Sequence, residues 1–146
     1  MLRGRFDTRT GRPYIEGRLV IPRLNLHGDV SFLIDTGADT SALMPADALR
    51  IGLPYAGLTN EREAVGVGGI SRSFAEQALV AFTDPGKSLF IYRIEIVIPV
   101  ATPELQRLPS LLGRDILNQW SMSYNPSRGR LACRVVSADY TLPVSS

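Results

Sequence analysis

One cysteine, one histidine and one lysine in 146 residues close off several chemistries before any motif is read. The lone thiol, Cys133, has no partner for a disulfide within the chain, and its setting in Leu131-Ala132-Cys133 marks it as a small buried side chain. His27 stands alone, so Ser-His and Cys-His nucleophile pairs and His-rich zinc sites are all poorly supported. Lys87 lies beside a turn, which leaves phosphoryl transfer through an aspartyl nucleophile without its lysine or its acidic Mg²⁺ cluster. No apolar run approaches the length of a membrane span, and the N-terminus has no secretory core. The chain therefore reads as soluble and cytoplasmic. Charge of one sign is scarce too, with 16 basic and 14 acidic residues. Arginines gather weakly at the start (Arg3, Arg5, Arg9, Arg12, Arg18) and near the end (Arg128, Arg130, Arg134), without interleaved aromatics. They read as a solvated surface, and neither nucleic acid nor membrane is expected as a partner.

What is present is a chain of 45% hydrophobic and 21% charged residues, long enough for one core and too short to need two. We expect a single domain over 1–146, with 1–12 an N-terminal arm or pro-segment and 137–146 a loose tail. The pattern is of strands punctuated by turns. Strands are expected at Tyr14–Ile21, Val30–Ile34, Thr40–Met44, Glu61–Val65, Ile70–Phe82, Ser88–Val97, Trp120–Tyr124 and Leu131–Val136. His27-Gly28-Asp29, Asp84-Pro85-Gly86 and Asn125-Pro126-Ser127-Arg128-Gly129 are the expected reversals. Pro45–Arg50 reads as a short helix stopped by Gly52. A second helix follows the buried pair Leu111-Leu112.

Three segments carry chemistry. In Phe32-Leu33-Ile34-Asp35-Thr36-Gly37-Ala38-Asp39-Thr40 an apolar strand runs into an acid, a hydroxyl and a glycine. A carboxylate at the end of a buried strand is costly unless it is paired or hydrogen-bonded. Thr36 can donate a hydrogen bond, and Gly37 lets the backbone turn its amide toward the acid. Taken alone, Asp-Thr-Gly fits an ordinary turn equally well. The second segment, Gly66-Val67-Gly68-Gly69-Ile70, places three glycines in five residues between two strands, as suits a lid that opens and then excludes water. A glycine-rich turn without function and an anion-binding loop are the alternatives; against a phosphate loop, no Lys-Ser/Thr pair follows and both flanks read as strand. The third is Leu111-Leu112-Gly113-Arg114-Asp115, a buried strand turning into a helix.

In this order, and with Ala38-Asp39 following the first and Gly113-Arg114 opening the helix, these segments resemble the retroviral-type aspartic proteases, or retropepsins, from Tyr14 to Val135. The resemblance implies an all-β acid-protease fold, a closed barrel-like half of a pepsin, with one or two short helices. It implies Asp35 as the catalytic carboxylate and Thr36 as a brace to its counterpart across a dimer. Gly37, Ala38 and Asp39 would present backbone to bound peptide, and Asp39 would pair with Arg114, tying the loop to the helix. Gly66, Val67, Gly68, Gly69 and Ile70 would be the flap; Val67, Ile70, Leu33 and Ala42 would line apolar pockets. No metal or cofactor is implied.

Aspartic proteolysis needs two carboxylates, about 3 Å apart and sharing a proton. The chain has one Asp-Thr-Gly, so the mechanism requires a homodimer acting on a peptide or protein substrate. Ala38 stands where many relatives carry a hydroxyl, which implies optimal activity in mildly rather than strongly acidic solution. The connections at 45–52 and 97–111, and a C-terminal hairpin and tail, are longer than in a minimal viral enzyme and fit a cellular or bacterial member. A second reading keeps the fold without turnover, as a catalytically idle dimeric peptide-binding or dimerisation module.

Overall fold

The computed structural model describes residues 1–66 and 69–144. Its strands, in chain order, are β1 (Leu2–Arg3), β2 (Arg5–Phe6), β3 (Pro13–Ile21), β4 (Leu26–Ile34), β5 (Glu61–Gly66), β6 (Gly69–Asp84), β7 (Ser88–Pro99), β8 (Leu111–Leu112), β9 (Trp120–Asn125), β10 (Arg130–Val135) and β11 (Tyr140–Pro143). Helix α1 spans Pro45–Ile51 and α2 spans Arg114–Leu117. The class is all-β, as expected. Among the described residues no helix is long and apolar enough to cross a membrane.

A large sheet runs in the order β11-β7-β6-β3-β4-β8, and a small one in the order β1-β10-β9. Alternation drives both, since period-two side chains give each strand one apolar face to bury. Leu19 and Ile21 of β3, Val30 and Phe32 of β4, Val80 and Phe82 of β6, and Tyr92, Ile96 and Ile98 of β7 are buried together. Trp120 joins them edge-on to Phe82, 4.9 Å between centroids, and donates its indole N–H to the Tyr92 hydroxyl at 2.8 Å. Among the described residues no strand closes the large sheet into a barrel. Instead Ala42 alone bridges Val97 of β7 and Leu111 of β8. The expected strand Thr40–Met44 is reduced to this one residue, because the segment crosses between two strand edges rather than running along either.

Two other expectations change. The β3–β4 reversal is not at His27-Gly28-Asp29. It lies at Pro22–Leu24, a 3-10 turn in which proline presets φ, followed by Asn25 in the left-handed region at φ 49°. Gly28 sits within β4, opposite Leu19. It is glycine for packing: a Cβ there would come within 2.5 Å of the Ile51 side chain at the end of α1.

Part of the expected loose tail is a strand. Tyr140–Pro143 pairs antiparallel with Ser88–Ile91 at the edge of β7, and the Arg93 N–H donates to Asp139 at 2.7 Å. All four residues of β11 are exposed, so polarity alone disguised a strand whose partner is an otherwise open backbone edge. The N-terminal arm is likewise packed. Leu2 is buried opposite Cys133 on β10, and β2 pairs with β3.

Candidate active site

Asp35 follows β4, whose last residues run parallel to β8 with Leu33 opposite Leu111 and Ile34 opposite Leu112. The Leu33 N–H donates to Ser110 O at 2.8 Å and the Asp35 N–H to Leu112 O at 3.0 Å, so the backbone is held to the point where the carboxylate leaves it. The loop then reverses, with Ala38 N–H donating to Asp35 O at 3.2 Å and Gly37 N–H donating to the Asp35 carboxylate at 2.9 Å. A Cβ at Gly37 would stand 3.2 Å from that carboxylate oxygen. Asp35 is half-buried, while Thr36, Gly37 and Asp39 are exposed. The carboxylate therefore sits at a rim, anchored from below and reachable from above.

Helix α2 fastens the loop from one side. The Arg114 guanidinium donates to Thr36 O at 2.7 Å and forms an ion pair with Asp39. The Arg114 backbone N–H donates to Ala38 O at 2.8 Å. This close approach is the reason for Gly113, because a Cβ there would fall 2.6 Å from the Thr40 carbonyl carbon and 2.9 Å from Ala38 O. Thus Asp35, Thr36, Gly37, Ala38, Asp39 and Arg114 are brought together.

A further set of bonds, carried by no motif of the sequence, lies behind the loop. Asp115 accepts from the Ser41 N–H at 2.9 Å and from the Ser41 hydroxyl at 2.8 Å, and that hydroxyl accepts the Gly113 N–H at 3.0 Å. Ser110 plays the matching part before β8, accepting the Met44 N–H at 2.9 Å and donating to Asp47 of α1 at 2.7 Å. Both serines are fully buried. The one signal available was a serine directly before each apolar run, Ala42-Leu43-Met44 and Leu111-Leu112, a polar group that burial obliges to find a partner.

The glycine-rich hairpin is present as β5 and β6, paired through Val65–Ile70 and Gly66–Gly69. Val67 and Gly68 lie outside the described residues. Among the described residues no hydrogen bond joins this hairpin to the Asp35 loop. No group of three or more His, Cys, Asp or Glu side chains able to hold a metal occurs among the described residues.

The aspartyl protease family model matches residues 22–116, a span that includes the Asp35 loop, the glycine-rich hairpin and Arg114. The chain belongs to the aspartyl protease family. Among solved structures it is similar to a retropepsin-like aspartic protease from Rickettsia conorii, with 20% identity, 88% of this chain and 94% of that chain covered, and a TM-score of 0.55. It is also similar to EIAV protease complexed with an inhibitor, with 23% identity, 77% and 90% covered, and a TM-score of 0.47. No curated protein sequence matches it. The fold of this aspartyl protease family member is retropepsin-like.

Proposed function

We propose that this chain is an aspartic endopeptidase that works as a homodimer, with the Asp35 carboxylates of two copies sharing a proton at the twofold axis. The observation that carries the reading is the placement of Asp35, half-buried at the end of an apolar strand with the Gly37 N–H on its carboxylate and Arg114 bracing the loop behind it. The ionised carboxylate takes a proton from a bound water as that water attacks the scissile carbonyl. The protonated partner donates to the carbonyl oxygen; as the tetrahedral diol collapses, that partner takes a proton back from a diol hydroxyl while the first carboxyl gives the water's proton to the nitrogen, which leaves as the amine. Thr36 braces its counterpart, Gly37, Ala38 and Asp39 offer backbone to an extended peptide, and residues 66–70 close over it.

One feature supports assembly. The outer edge of β9 has no strand partner among the described residues and is available for pairing. The test is digestion of a mixed peptide library at mildly acidic and neutral pH by the wild type and by Asp35→Asn, with sedimentation run in parallel. Cleavage that disappears in Asp35→Asn establishes the reading. A sedimenting dimer that leaves every peptide intact overturns it in favour of an idle peptide-binding module.

A further inference from the structure

The small sheet β1-β10-β9 is built from chain that contains no acid. None occurs before Asp7, and none between Asp115 and Asp139. The register sets Arg3 opposite Ala132, Ala132 opposite Ser123, Arg130 opposite Asn125 and Arg134 opposite Ser121. Directly opposed residues share a face, and residues two apart on a strand return to it. Arg3, Arg130, Arg134, Ser121, Ser123 and Asn125 therefore occupy one face around Ala132, while Leu2, Leu131 and Cys133 point into the core.

The three arginines are exposed, and among the described residues none makes a salt bridge. Seven others, Arg5, Arg18, Arg23, Arg50, Arg62, Arg72 and Arg114, are paired. The rest of the chain, with 13 basic and 14 acidic residues, is close to neutral.

We propose that this face is an exosite that docks an acidic polypeptide segment of the substrate protein. The proposal rests on the peptidase reading for its purpose, though not for its chemistry. Guanidinium forks take carboxylates bidentately, and the serines and Asn125 add neutral donors between them. Arg130 and Arg134, four residues apart on one strand, are separated by about 13 Å, which an extended peptide spans with acids on alternate residues. The face carries no aromatic ring on which bases could stack, and its exposed apolar side chains, Met1 and Val136, are confined to one end. A second copy docking through the same face would set arginine against arginine.

The test measures fluorescence anisotropy of a labelled deca-glutamate peptide, with deca-glutamine, a DNA duplex and phosphatidylserine vesicles as alternatives. The variants are Arg130→Glu/Arg134→Glu and, as an off-face control of equal charge, Arg9→Glu/Arg12→Glu. Deca-glutamate binds the wild type, and the on-face variant weakens it at least about tenfold while the control barely changes it. Equal losses in both variants, binding of duplex or vesicles but not of peptide, or no binding at all overturn the proposal. Binding requires no turnover, so face-specific capture without cleavage defeats the peptidase reading alone. Cleavage without capture defeats the exosite alone. With both intact, an acidic tract appended to a cleaved peptide lowers KM and leaves kcat unchanged.

Discussion

Two residues far apart in role show what burial does to single groups. Asp115 accepts from Ser41 twice and from its own helix at the Ile116 N–H, 3.0 Å away. Replacing it by alanine leaves the buried Ser41 hydroxyl and amide without their acceptor, at a cost of about 1–3 kcal/mol. Denaturant melts should show that loss for Asp115→Ala and a smaller one for Asp115→Asn, which keeps one acceptor oxygen. Peptide turnover should follow the same ranking, since Ser41 leads directly out of the Asp35 loop. Cys133 is the opposite case, a fully buried thiol whose pKa desolvation pushes up to about 11 from 9.0. The fold thus favours the protonated thiol. That contribution is complete below pH 9.0 and is lost as pH rises through about 11, because the unfolded chain ionises first. Thiol-specific labelling of the native protein at pH 8 should be negligible and become complete on denaturation. Rapid labelling of native protein would contradict the burial.

At the scale of elements, glycine had two readings that only packing separates. Gly28 looks like a turn residue in His27-Gly28-Asp29, yet it lies in β4 under Ile51 of α1. Gly28→Ala should destabilise the protein by about 1–3 kcal/mol in a denaturant melt, as overpacking does. Ile51→Ala in the same chain should recover part of that loss, and a Gly28→Ala variant of wild-type stability would count against the contact. The strands themselves were largely legible, because alternation and turn residues are local. β3, β4, β6, β7, β9 and β10 fall within a few residues of expectation, as do both helices. The edges were not. Tyr140–Pro143 and Leu2–Arg3 are short and carry little pattern, and each is a strand only because another strand's edge is open beside it.

At the scale of the molecule, one Asp-Thr-Gly per chain makes a sharp demand on the proposed mechanism. Specific activity should rise with protein concentration until dimers saturate. Adding excess Asp35→Asn should suppress a fixed amount of wild type, because mixed dimers carry a single catalytic carboxylate. Activity indifferent to the inactive copy would mean that one chain suffices. The fold is consistent with that demand. Among the described residues the large sheet is joined edge to edge only through Ala42, between Val97 and Leu111, and the Asp35 loop lies just before that junction.

By itself the sequence determined the all-β class and the places of the helices, and it singled out Asp35, Thr36, Gly37, Ala38, Asp39 and Arg114 as candidates, because these are written in alternation, turn residues and a family spacing. Tertiary structure alone decided that Ser41 and Gly113, 72 residues apart, would share a hydrogen bond, and that Ala42 would join two strands. It also gathered Arg3, Arg130 and Arg134 onto one face. The division has one physical cause: local conformation depends on neighbouring residues, whereas the partner of a buried polar group or an open strand edge is chosen by what packing brings within reach.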